Sequence, residues 1–142
     1  MKSTMILFIT LMLGFVTSAF AAHVNMQEGN WEIETSMKME RMPFPIPPMK
    51  VTYCYTKKDM EDGSKMRSTD GGAGKKNDCE MKDLVEKKNT ASWKLVCKDG
   101  TSGSAEATYK GDSYSVNMKM FDKSGREMIN TSVNGRRLGD CK

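Results

Sequence analysis

The sequence is short of the parts from which catalytic centres are built. It holds one histidine, His23, and four cysteines, Cys54, Cys79, Cys97 and Cys141. No two cysteines are close enough for a Cys-x-x-Cys redox pair or for one half of a zinc site. Gly71-Gly72-Ala73-Gly74 lacks the spacing and the following apolar helix of a phosphate-binding loop. The nearest carboxylate pair, Glu32 and Glu34, falls on positions expected to face water. Nucleophilic catalysis needs a nucleophile beside a base, and this chain supplies neither in a recognisable pattern. The expectation is a protein that is not an enzyme and carries no cofactor.

Charge of one sign is lacking too. Twenty-two Lys and Arg stand against 18 Asp and Glu. The basic pairs Lys57-Lys58, Lys75-Lys76, Lys87-Lys88 and Arg136-Arg137 are isolated from one another. Nucleic acid is recognised by clustered basic residues, so it is not an expected partner. Long apolar runs are absent apart from Met5–Val16, which is shorter than the roughly 20 residues that span a bilayer. With Lys2 before it and Ala19-Phe20-Ala21 after it, this run reads as a signal peptide over residues 1–21. No cysteine follows it closely enough for lipidation. The expectation is a periplasmic or secreted chain, with residues 22–142 forming one disulfide-stabilised β domain and no membrane span. Proline is confined to Pro43, Pro45, Pro47 and Pro48, so the rest of the chain is free to pair in sheets.

What is present is alternation. Trp31, Ile33, Thr35, Met37 and Met39 interleave with Glu32, Glu34, Ser36, Lys38 and Glu40, the pattern of a strand with one dry face. Val51, Tyr53 and Tyr55 mark a second strand. Thr56 and Asp59 have the spacing of a capping pair, which predicts a short helix to about Asp62. Residues 63–78 hold Gly63, Gly71, Gly72 and Gly74 among polar side chains and read as the least ordered part.

The stretch from Cys79 to Cys97 folds back near Lys88. That register sets Cys79 opposite Cys97, Met81 opposite Leu95 and Val85 opposite Ala91. It also sets Lys82 against Lys94, an unfavourable pair. Opposed residues in an antiparallel pair come close enough for a disulfide. Cys79–Cys97 is therefore expected, which leaves Cys54–Cys141. Gly111-Asp112 is a hairpin turn that pairs Tyr109 with Tyr114, Ala107 with Val116 and Ala105 with Met118. Lys123-Ser124-Gly125 makes the next turn, with Gly125 left-handed. Glu127–Val133 is a strand, and Asn134-Gly135 reads as a further turn.

Seven strands at short intervals predict a mainly β fold: a curled antiparallel meander sheet, half-barrel or two-layer, with one short helix and two disulfides.

Several of these stretches occur together in a known family. They are Gly29-Asn30-Trp31-Glu32-Ile33, the proline run leading into Val51-Thr52-Tyr53-Cys54, and Cys54-Tyr55-Thr56-Lys57-Lys58-Asp59. Later come Asp78-Cys79, Tyr109-Lys110-Gly111-Asp112-Ser113-Tyr114 and Gly139-Asp140-Cys141. In this order the chain resembles the bacterial "domain of unknown function 3617" family of small exported proteins. The resemblance implies a periplasmic or secreted location and brings no activity or site residues.

Two binding readings remain. Met37, Met39, Met42 and Met49 surround the proline run, and thioether sulfur is a soft ligand suited to Cu(I). Methionine also fills irregular cores, which accounts for Met37 and Met39, and likewise for Met118 and Met120, without a metal. The other reading is a binding or envelope-associated module for an unidentified protein or small-molecule ligand. The aromatics Trp31, Tyr53, Trp93, Tyr109 and Tyr114 fall on apolar-facing positions. Phe44 and Ile46, on the proline connector, are expected to lie over an edge or end of the sheet and to meet a partner.

Overall fold

The computed structural model describes residues 24–42, 44–62 and 79–142. The expected signal peptide over residues 1–21 and the glycine-rich stretch 63–78 lie outside the described residues. Strands β1 (Gly29–Met39) and β2 (Met49–Tyr55) lead to helix α1 (Lys57–Asp62). Strands β3 (Cys79–Lys87), β4 (Thr90–Cys97), β5 (Ser102–Tyr109), β6 (Ser113–Phe121) and β7 (Glu127–Gly139) follow. All seven lie in one antiparallel sheet of order β2-β1-β7-β6-β5-β4-β3. The sheet is a single layer, so the two-layer alternative is not realised, and β2 and β3 remain edges. Among the described residues no helix is long and apolar enough to cross a membrane.

Chain length shows that the sheet curls. The Asn25 N–H donates to the Lys88 carbonyl, in the β3–β4 turn, and β1 begins only four residues later at Gly29. Four extended residues reach about 14 Å. In a flat sheet β1 and β4 would stand four spacings apart, about 19 Å. The residues before β1 therefore form a strap across one end of a curled sheet. Gly111 fastens it midway, where its N–H donates to the Asn25 carbonyl and its carbonyl accepts from the Gln27 N–H.

Under this strap the core is aromatic. Trp31 is fully buried, with Tyr55 edge-on at 6.3 Å and Tyr114 at 5.5 Å. Its indole N–H donates to the Gln27 carbonyl at 3.1 Å. The helix start is the expected one. The Thr56 N–H and hydroxyl donate to the Asp59 carboxylate at 3.0 and 2.8 Å, and the Asp59 N–H donates back to Thr56 Oγ1. This turn brings Met60 against the core.

Burial pushes the Tyr114 hydroxyl far above the usual tyrosine range, reinforced by the neighbouring Tyr55 oxygen. Burial also raises Tyr55. Both tyrosines are held neutral in the fold, whereas in the unfolded chain they ionise near pH 10. Their contribution is whole below that pH and lost above it. Unfolding monitored between pH 8 and 11.5 should show stability falling from about pH 10, and Tyr114→Phe should flatten the fall.

Both disulfides pair as expected, Cys54–Cys141 and Cys79–Cys97. The β5–β6 register is also the expected one, and Gly111 and Gly125 take positive φ in their turns. Two expectations are corrected. Val85 lies opposite Ser92, not Ala91, because a bulge intervenes after Lys82. Asp83 sits there at φ 53° and its carboxylate reaches Lys94 Nζ at 2.9 Å. The bulge thus sets an acid beside the opposed Lys82 and Lys94.

Asn134-Gly135 is not a turn. Both residues lie inside β7, which runs on to Gly139. Gly135 pairs with Tyr114, whose ring packs on it so closely that an added Cβ would stand 2.0 Å from a ring carbon. Gly135→Ala should cost about 2 kcal/mol as the ring is forced aside. Combining it with Tyr114→Ala should cost less than the two singles added, because the clash is shared. Urea unfolding of the three variants measures this coupling.

Candidate binding site on the concave face

The seven strands give the sheet a polar convex side and an apolar concave side. On the convex side Lys50 pairs with Glu34 at 2.9 Å, Arg136 with Glu32 at 3.1 Å and Lys119 with Glu127 at 3.0 Å. These pairs are exposed, so each contributes little. Glu32 and Glu34 are thus partners of surface cations.

Among the described residues the concave side is closed at one end and open at the other. Trp31, Tyr55, Tyr109, Tyr114 and Ala91 fill the end beneath the strap and α1. Toward the other end the same face continues as Ile33, Met37 and Met39 on β1, Val133 and Ile129 on β7, and Met118 and Met120 on β6. All of these are only partly buried. With Thr35 and Thr131 between them, they occupy inward positions of three neighbouring strands: Met37 opposes Thr131, Met39 opposes Ile129, and Met118 and Met120 oppose Thr131 and Ile129 from the other side. On the rims Met49 and Val51 of β2 are 56% and 57% exposed, and Met81 of β3 is 38% exposed. The result is a trough with a methionine-rich floor and no charged side chain at these inward positions.

At the open end of the trough lies a groove of about 360 Å³ between Met39–Met42 and the β6–β7 loop. Glu40, Arg41, Asp122 and Arg126 stand around it, so its floor is apolar and its rim charged. Asp122 accepts from the Ser124 and Arg126 N–H groups and from the Ser124 hydroxyl. Those bonds hold its carboxyl below the usual carboxylate range and fix the loop.

Trp93 adds a polar signal that sequence reasoning missed. It faces inward on β4 and is 3% exposed. Its indole Nε1 is buried and meets no acceptor among the described residues. A buried donor without a partner costs about 1–3 kcal/mol, so an acceptor reaching it gains that much. Trp93 lies opposite Ala105, which lies opposite Met118, so Trp93 stands two strands from the methionine floor on the same face.

The aromatics on apolar-facing positions are chiefly packing residues: Trp31, Trp93, Tyr109 and Tyr114 are buried in one core cluster, and Tyr53, on the edge strand, is 37% exposed. Phe44 does not lie over the sheet, being 77% exposed, whereas Ile46 is half-buried. Pro45, Pro47 and Pro48 restrict the backbone that follows Phe44 to extended conformations. The four methionines proposed as copper ligands are spread along this end of the sheet. Met39 and Met42 line the groove, Met37 lies one inward position further up β1, and Met49 opposes Thr35.

A sequence profile described as "Protein of unknown function (DUF3617)" matches residues 26–141. No match was found among curated proteins.

Proposed function

The chain belongs to the DUF3617 family of proteins of unknown function, and from that premise we propose that it is an exported, non-catalytic binding protein for an apolar chain molecule. The observation that carries this reading is the trough: an apolar sheet face that closes over its aromatic end and stays open over its methionine end. A chain this small could have filled that face with its own side chains, as its other end does. Flexible thioethers suit a face that must fit a ligand of variable shape. The unpartnered Trp93 indole favours a ligand that also carries an oxygen acceptor, such as a carboxylate or ester. Two disulfides suit export to an oxidising compartment, and with all four cysteines bridged none is a free nucleophile.

The test is a ladder of unbranched fatty acids titrated against the oxidised protein by displacement of a fluorescent naphthylamine probe. Each added CH₂ should tighten binding roughly fourfold, from about 0.8 kcal/mol per buried methylene, until the trough is full. Met118→Lys and Met37→Lys should each abolish saturable binding while thermal unfolding remains cooperative. Length-independent affinity, or binding untouched by both substitutions, would refute the reading.

Met39 and Met42, which both line the groove, favour a second occupant there, Cu(I). Titration with Cu(I) under a competing chelator separates the two. Tight binding lost on Met39→Leu and Met42→Leu, which keep the apolar floor, would assign the groove to metal rather than to lipid-like ligand.

A further inference from the structure

The two edges of the sheet are unlike. We propose that two copies of the chain pair edge to edge through β2, antiparallel about a two-fold axis at Thr52. An edge strand presents unpaired N–H and C=O groups, and soluble proteins guard such edges with bulges and charges. Edge β3 is guarded. It is broken by the Asp83 bulge and carries Glu80, Lys82, Asp83, Glu86 and Lys87. Edge β2 is not. It pairs with β1 over seven unbroken residues, Met49–Tyr55, and its one charge, Lys50, is engaged by Glu34.

Self-pairing separates the edges further. A two-fold at Thr52 sets Val51 against the partner subunit's Tyr53 and Met49 against the partner subunit's Tyr55, on the concave side. Lys50 meets the partner subunit's Cys54, and no like charges are opposed. Aromatic pairs with aliphatic neighbours are among the favourable cross-strand contacts. On β3 an axis at Asp83 would oppose Asp83 to its own copy and Glu80 to the partner subunit's Glu86, like charges that destabilise, and an axis at Leu84, which sets Lys82 against the partner subunit's Glu86, falls on the bulge that breaks the strand. Pairing through β2 also covers Met49 and Val51, among the most exposed apolar side chains of the concave rim. It joins two sheets and their troughs side by side. A second copy is thus the occupant that the β2 sequence itself complements.

Sedimentation velocity across a concentration series, on the processed and oxidised protein, tests this. The wild type should pass from monomer to dimer. Val51→Lys should weaken dimerisation roughly tenfold, through the loss of two symmetry-related cross-strand pairs. The double variant Val51→Lys/Tyr53→Glu should recover most of it, because each new lysine then faces a new glutamate across the axis. Leu84→Lys, on β3, should leave dimerisation unchanged. Circular dichroism checks that each variant folds. A wild type that stays monomeric at millimolar concentration overturns the proposal. So does a dimer indifferent to Val51→Lys, or one sensitive to Leu84→Lys.

Discussion

Replacing Cys54 and Cys141 together by serine should lower stability by about 4.5 kcal/mol, the chain entropy released when a cross-link of this span is removed. The two cysteines are 87 residues apart in sequence, whereas Cys79 and Cys97 are separated by 18. The shorter loop predicts a loss of about 3 kcal/mol for the second bridge. The order of the two losses is the sharper test. The long bridge fastens edge strand β2 to the residues just after β7, and β1 lies between those strands. Without it, the contacts joining the two ends of the chain must form against the full closure entropy. Urea unfolding of the two double-serine variants should rank Cys54–Cys141 above Cys79–Cys97. The reverse order would mean that structure retained in the unfolded chain, not loop length, sets the effect.

Trp31→Ala should cost about 4 kcal/mol, in the range for truncating a fully buried aromatic. Trp31 has no exposed surface, and both Tyr55 and Tyr114 rest on its ring. Its loss also strips the Gln27 carbonyl of an indole donor, which loosens the strap that curls the sheet. Trp31→Phe keeps much of the apolar contact and removes the donor. The difference between the two variants therefore separates ring packing from the strap bond. Near-ultraviolet dichroism should lose its aromatic bands in the alanine variant. A fall below about 2 kcal/mol would show that the closed end repacks around the gap.

Much of the architecture was legible because β structure writes itself locally. Trp31 to Met39 alternates with period two, and the hairpin about Gly111-Asp112 can be registered by matching apolar residues outward from the turn. The Thr56–Asp59 cap is likewise a matter of spacing three residues apart. What failed to show were features whose cause lies far away in sequence. Gly135 reads as a turn residue beside Asn134, yet it is glycine because the Tyr114 ring lies on it from the neighbouring strand. The Asp83 bulge follows from the Lys82–Lys94 opposition, visible in sequence only as a conflict without its resolution.

The trough was the least legible part. Alternation says that Met37, Met39, Met118 and Met120 face one side; it does not say whether that side is covered. Strand order and curl decide coverage, and both depend on long-range contacts such as the Asn25–Lys88 bond.

By itself, then, the sequence determined the inward faces of the regular strands, the turns at Gly111-Asp112 and Lys123–Gly125 and which sulfurs meet, because side-chain alternation, glycine conformation and disulfide reach act over a few residues or one hairpin. Only the tertiary structure decided that β1 lies between β2 and β7, that one end of the concave face is roofed and the other open, and that Trp93 keeps an unanswered donor. Those outcomes depend on how the strands stack and bend together, and no short stretch of chain carries that information.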